Sequence, residues 1–174
     1  MSRRTIISVF GGSRCVEADE EYRIARELGS LLAQAGFTVA TGGYAGTMEA
    51  ISRGAAEVGG PVIGVVSATV SSTGNRWVSE TIVVPKWEDR LFKLISLGDG
   101  FIACTGGTGT LVELAVAWEM IHKRVCPAKP LIALGEFWNP ILDQIEGIDA
   151  NCRAIVRRAA TPAEAATALQ AQLG

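Results

Sequence analysis

Residues 104–113 read Cys104-Thr105-Gly106-Gly107-Thr108-Gly109-Thr110-Leu111-Val112-Glu113. An apolar run, Phe101-Ile102-Ala103-Cys104, leads into this stretch, and a helix-like run over 111–121 follows it. A short buried strand, a glycine-rich turn and a helix start together make an anion site. The free backbone N–H groups and the positive end of the helix dipole both face the turn. Glycines let the backbone approach a ligand, because no Cβ stands in the way. Thr108 and Thr110 add hydroxyl donors. On this reading Glu113 falls in the first helical turn and faces whatever the turn holds. A turn that binds only phosphate has no use for a carboxylate there. The plainer alternative is a capping box, Thr110-x-x-Glu113, in which Glu113 satisfies a backbone N–H. The turn lacks the lysine of a P-loop and is not a Walker A motif.

Working outward, strand and helix signals alternate. Residues 5–10 form a β-rich apolar run that ends in Gly11-Gly12-Ser13-Arg14. Residues 19–35 are amphipathic, with Tyr22, Ala25, Leu28, Leu32 and Ala35 on one face and Gly36 as the stop. A strand over 37–41 leads into a second turn, Gly42-Gly43-Tyr44-Ala45-Gly46, and a helix over 47–58. Residues 61–66 are uninterruptedly apolar, as in a strand covered on both faces. Residues 67–79 are polar and irregular, and 81–84 are strand-like. A helix over 87–97 and a strand over 100–104 precede the central turn. A strand over 130–134 and a helix over 138–145 follow it. Thr161-Pro162-Ala163-Glu164 opens a last helix, with proline at its first position.

This alternation predicts one domain over 1–174, an α/β fold with a doubly wound, Rossmann-like parallel sheet and helices on both faces. Five to seven strands are expected. Right-handed crossovers put all three glycine-rich turns, 11–14, 42–46 and 106–109, at the carboxyl ends of strands, where such sheets carry their ligands.

Composition narrows the function classes. The chain has 174 residues, 48% of them apolar, enough for a real core. A formal charge of −2 and the lack of a Lys/Arg-rich run argue against nucleic-acid binding. No stretch is apolar and long enough for a signal peptide or a membrane span, so a cytoplasmic protein with no membrane partner is expected. Cys15, Cys104, Cys126 and Cys152 form no CxxC pair and show no ligand-like spacing with His122, the one histidine. They read as reduced core or loop residues. No metal and no cofactor is expected.

What is missing narrows the ligand. Gly11-Gly12-Ser13 is not a full G-x-G-x-x-G, and the second strand ends in Thr41-Gly42 rather than in an acidic residue for an NAD ribose. A single phosphate on a small nucleoside fits better than a dinucleotide.

With these motifs in order, the chain resembles the LOG family of nucleoside 5′-monophosphate phosphoribohydrolases, long mislabelled as lysine decarboxylases. Its hallmark, Pro-Gly-Gly-x-Gly-Thr-x-x-Glu, corresponds to residues 105–113. Arg90 falls at the position of the family's catalytic arginine. The turns at Gly11-Gly12-Ser13 and Thr41-Gly42-Gly43-x-x-Gly46-x-Met48 match two further segments, and the likeness spans roughly residues 5–145. Thr105 replaces the family proline, and Leu91 replaces the lysine beside the arginine. Tyr44 and Glu49 look more like the carrier-like or uncharacterised branch than the cytokinin-activating enzymes; the molybdenum cofactor carriers of the superfamily bind rather than cleave. A pyridoxal decarboxylase needs a Schiff-base lysine and a larger scaffold. His122-Lys123 reads instead as a basic helix end that complements the dipole.

The resemblance implies cleavage of the N-glycosidic bond of a nucleoside monophosphate, giving free base and ribose 5-phosphate. Arg90 and Glu113 would be catalytic. Gly12, Ser13, Gly42, Gly43, Gly46, Met48, Gly106, Gly107, Thr108, Gly109 and Thr110 would bind the nucleotide and its phosphate. It also implies a homodimer or larger homo-oligomer. The alternative is a non-catalytic carrier or sensor for a phosphorylated molybdopterin-type cofactor or a nucleotide. For Arg90 the plainer alternative is a surface ion pair with Glu88 or Asp89. Arg76 and Trp77 are either a lid or an exposed tether. Glu49 either faces the crevice or answers its helix dipole. Trp118 and Trp138 are packing or interface residues.

Overall fold

The computed structural model describes residues 4–174. Seven strands form one sheet: β1 (Ile6–Phe10), β2 (Thr38–Thr41), β3 (Val62–Ser67), β4 (Glu80–Val84), β5 (Gly100–Ala103), β6 (Leu131–Leu134) and β7 (Val156–Ala159). Their spatial order is β4-β3-β2-β1-β5-β6-β7, and every neighbouring pair is parallel. The chain builds outward from β1 to β4, then returns to lay β5 on the other side of β1. That reversal between β1 and β5 is the point where an open α/β sheet leaves a crevice.

Strand residues alternate between the two faces, so each strand feeds both cores. Ile102 and Cys104 join Ile7, Val9 and Val39 on one face. There they pack on α1 (Glu20–Gln34), α2 (Thr47–Glu57) and α6 (Pro162–Leu173). Phe101 and Ala103 join Phe10 and Val65 on the other face. There they pack on α3 (Trp87–Leu97), α4 (Thr108–His122) and α5 (Asn139–Ile148). Helices thus cover both faces, as the alternation predicts.

Two differences from the sequence reading bear on the site. First, α4 begins at Thr108, with Gly107 as its N-cap, rather than after Thr110. Of the turn glycines only Gly109 lies within the helix, where glycine costs about 1 kcal/mol relative to alanine. Second, β7 and the 3-10 turn before it, Ala150–Cys152, carry no apolar run to announce them. β7 reads Val-Arg-Arg-Ala, with both arginines exposed at the sheet edge. The last helix starts as its signature implies. Thr161 Oγ1 accepts the Glu164 N–H at 3.2 Å, and the Glu164 carboxylate accepts the Ala160 N–H at 2.8 Å.

Candidate functional site

The three glycine-rich turns meet at the carboxyl edge of the sheet. Gly12 donates its N–H to the Thr105 carbonyl at 3.2 Å, and its own carbonyl accepts the Thr47 N–H at 2.9 Å. Gly12 therefore touches both other turns. Gly46 has φ +68°, and a Cβ there would stand 2.5 Å from the Ser13 carbonyl carbon. A side chain at Gly46 would push the first turn away from the second.

Arg90 and Glu113 lie together beneath these turns. Arg90 comes from α3, next to the first-turn acids Glu88, which is exposed, and Asp89, which is half-buried. Its guanidinium turns inward and is 7% exposed. Nε donates to the Val65 carbonyl at 3.0 Å, within β3. Nη1 donates to Glu113 Oε1 at 3.3 Å, and Nη2 lies 3.5 Å from the Met48 sulfur. The Tyr44 ring sits 5.3 Å from the guanidinium carbon, a cation–π distance. Tyr44 is in turn fixed by its hydroxyl, which accepts the Ser67 N–H at 2.9 Å. The surface ion-pair alternative for Arg90 fails, because its partners are buried.

The capping-box alternative for Glu113 fails as well. With Thr108 as the first helical residue, Glu113 is the sixth, and the first turn of α4 contains no acid. The carboxylate is 6% exposed, and among the described residues its one hydrogen-bond partner is Arg90. Burial pushes the Glu113 carboxyl up to about 7, against the opposing pull of the Arg90 charge. The pair thus sits where a small change of surroundings moves a proton on or off the acid. Gly107 and Glu113 are six residues apart, about 9 Å along the helix axis.

The remaining predicted residues divide into two groups. Gly107, Thr108 and Gly109 are exposed at the helix start, and Ser13 is exposed beside them. A Cβ at Gly107 or Gly109 would meet no atom within 4 Å. Gly42, Gly43, Gly46 and Met48 are buried and meet protein. Gly43 has φ +73°, a conformation that favours glycine. Thr110 is buried with its hydroxyl tucked against Gly106, where a Cβ would come within 2.1 Å of it. The second turn therefore supports Arg90, and the third presents open backbone.

Departures from the LOG pattern are also placed. Leu91 is 5% exposed and belongs to the apolar core beneath α3. Thr105 contributes its carbonyl to Gly12, which a proline does equally well. The polar segment is pinned rather than free: Asn75 donates its N–H to Gly43 at 2.7 Å and its amide to the Tyr44 carbonyl at 3.0 Å. The Trp77 ring lies 5.5 Å from the Arg53 guanidinium carbon and 4.8 Å from that of Arg76, both cation–π distances. Glu49 is half-buried in the first turn of α2. Trp118 and Trp138 are both buried, and Trp138 donates its indole N–H to the Cys104 carbonyl at 2.9 Å. That bond fastens α5 to the strand end that carries the central turn. Sequence reasoning did not find Val65 or Ser67. Both act through backbone groups, which no residue pattern announces.

The three turns, the open helix start and the buried Arg90–Glu113 pair thus lie together at one edge of a parallel α/β sheet. The chain belongs to the SLOG cluster4 family, whose model matches residues 4–165. It is 32% identical to a probable cytokinin riboside 5′-monophosphate phosphoribohydrolase of Oryza sativa subsp. japonica, over 98% of this chain and 72% of that protein. Among solved structures it is similar to the molybdenum cofactor binding protein of the phototrophic bacterium Rippkaea orientalis. That match has a TM-score of 0.83 and 27% identity, and covers 100% of both chains. The Moco carrier protein of Chlamydomonas reinhardtii matches with a TM-score of 0.79 and 29% identity, covering 98% of this chain and 100% of that one. The LOG relationship read from the three turns, and its closeness to the carrier branch, are both borne out. No helix among the described residues is long and apolar enough to cross a membrane.

Proposed function

We propose that this chain hydrolyses the N-glycosidic bond of a nucleoside 5′-monophosphate, releasing free base and ribose 5-phosphate. The observation that carries the proposal is the buried Arg90–Glu113 pair beneath the exposed helix start at Gly107-Thr108-Gly109. A buried ion pair contributes little net stability over an apolar replacement, so its presence calls for another use. The phosphate sits on the free N–H groups at the start of α4, with Ser13 and Gly12 beside it. Binding energy at the phosphate then fixes the sugar over Glu113. As the base departs, the ribose acquires oxocarbenium character, and the ionised Glu113 carboxylate stabilises that charge. Arg90 holds the carboxylate in place and balances it before substrate arrives. Gly42, Gly43, Gly46 and Met48 serve by shaping the pocket that Arg90 fills.

The test is direct. Purified protein incubated with AMP and related monophosphates should release free base, and an Arg90 or Glu113 variant should release far less. If the wild type binds a monophosphate tightly and releases no base from any of them, catalysis is wrong. A carrier or sensor role is then the better account. The whole-chain likeness to the molybdenum cofactor binding protein supports that second reading. Self-association into a homodimer belongs to the same proposal and is checked by sedimentation.

A further inference from the structure

The far end of α4 carries a second cluster of chemically capable groups. His122 is the last residue of α4, Asp149 caps the 3-10 turn, and Cys152 closes that turn. Cys152 Sγ lies 3.7 Å from His122 Nδ1 and 3.6 Å from Asp149 Oδ2. His122 Nε2 lies 3.7 Å from the same carboxylate oxygen. One ligand atom from each residue falls within 4.8 Å of the other two. Tetrahedral zinc has Zn–S of about 2.3 Å and Zn–N or Zn–O of about 2.0–2.2 Å, which sets its ligand atoms about 3.3–3.6 Å apart. The short approaches use both ring nitrogens, so with one nitrogen as ligand the three atoms, all within 4.8 Å of one another, draw together by up to about 1 Å around the ion.

We infer that His122, Asp149 and Cys152 form a binding site for one zinc-class divalent cation. The donor set is one soft sulfur, one imidazole nitrogen and one carboxylate oxygen, which suits zinc rather than magnesium or calcium. A thiolate and a carboxylate together supply two negative charges against the two positive charges of the ion. The carboxylate is held ready from behind. Asp149 Oδ1 accepts the Asn151 N–H at 2.9 Å and its amide at 3.1 Å, which leaves Oδ2 for the cluster. Such outer hydrogen bonds are how metal sites orient their ligands.

The cluster is sheltered on one side and open on the other. The His122 side chain is 13% exposed and that of Asp149 is 42% exposed, so a water completes the coordination from the Asp149 side. Burial, then the Asp149 charge, pushes the Cys152 thiol up, with Glu119 adding to the rise and Lys123 opposing it. Cation uptake therefore expels the thiol proton to solvent. A bound ion fastens the end of α4 to the turn that leads into β7, about 20 Å from the start of the same helix.

The experiment uses the full chain, reduced and dialysed against chelator, then titrated with zinc against a chromogenic chelator and with cobalt(II) by absorption. One zinc per chain is expected, with a thiolate-to-cobalt charge-transfer band. His122→Ala, Asp149→Asn and Cys152→Ala should each weaken binding at least as much as loss of an outer-shell partner does, about 10–100-fold. Cys126→Ala should not. Zinc should raise the melting temperature of the wild type. Asp149 is the most exposed of the three, so Asp149→Asn keeps the test valid if Cys152→Ala fails to fold. Stoichiometric zinc absent from the wild type would overturn the site. So would binding unchanged in Asp149→Asn and His122→Ala, or a cobalt spectrum without the thiolate band. Rapid alkylation of Cys152 that zinc does not slow would instead mark a hydrogen-bonded nucleophilic thiol, and the site would be lost.

Discussion

A Cβ at Gly42 would stand 1.5 Å from Arg90 Nη2. Residue 42 and residue 90 compete for one volume, and glycine at 42 is what lets the guanidinium occupy it. Gly42→Ala should therefore dislodge Arg90 from Glu113. Overpacking of this kind costs about 1–3 kcal/mol. Base release should fall as it does in an Arg90 variant, although residue 42 bears no functional group. Base release at the wild-type level with an intact fold would show that the Arg90 position is not needed.

Glu113→Gln keeps the size of the side chain and removes its charge. If Glu113 stabilises a sugar cation, kcat should fall on the order of 10²–10³-fold, the scale for removing one preorganised electrostatic group. Nucleotide affinity should change much less, because the lost interaction belongs to the transition state. Kinetics and equilibrium binding measured on the same preparation decide it. Equal losses in both would make Glu113 a ground-state binding residue.

The raised Glu113 carboxyl makes a pH prediction with a definite sign. Its folded value of about 7 lies above the ordinary 4.5. The folded state therefore holds the proton more tightly than the unfolded state. Its contribution to stability is full below about 4.5 and is lost as pH rises to about 7. Glu113→Gln should abolish that slope in denaturant melts. Turnover needs the carboxylate ionised, so kcat should rise through the same upper limit, near 7. A wild-type rate that falls across that range would contradict the assigned role.

Arg90→Ala leaves Glu113 buried without its cation. Breaking a buried pair in this way costs about 3–5 kcal/mol when the charge must stay. Here the acid escapes by taking up a proton, so the loss should be large at alkaline pH and smaller at acidic pH. Adding Glu113→Gln to Arg90→Ala should recover much of the alkaline stability. A pH-independent loss would mean that the guanidinium matters for packing alone.

Gly107→Ala and Gly109→Ala separate ligand from fold. Neither Cβ would meet protein, and neither glycine has a positive φ. Alanine at 109, in the first turn of α4, should leave stability unchanged or raise it by about 0.4–1 kcal/mol, whereas alanine at 107, the N-cap, should cost about 1 kcal/mol because glycine caps better than alanine. A phosphate resting on the 107–109 backbone would meet the new methyl group, so monophosphate affinity should drop. Unchanged affinity in both variants would put the phosphate elsewhere.

Much of this was legible in the sequence because the signals are local. Uninterrupted apolar strands such as β3, and glycines at strand ends, gave the doubly wound sheet and the meeting of three turns. What stayed hidden depends on distance. Nothing in Val-Arg-Arg-Ala marks β7 as a strand, since an edge position needs little apolar surface. Thr110-x-x-Glu113 has the form of a cap, yet the helix already runs from Thr108, because Gly107 supplies the extended residue where it starts. The burial of Arg90 could not be read from the charged residues beside it. His122 and Cys152 are 30 residues apart and touch only through the fold.

The β1–β5 ladder is the seam at which the outgoing and returning runs of strands join within the sheet. Beyond the ends of those two strands the seam continues through the bond from Gly12 to Thr105. An anion held by both turns would therefore act as a staple across two stretches almost a hundred residues apart in sequence. Its arrival should slow amide exchange around Gly12 and around Thr108 together, with one concentration dependence.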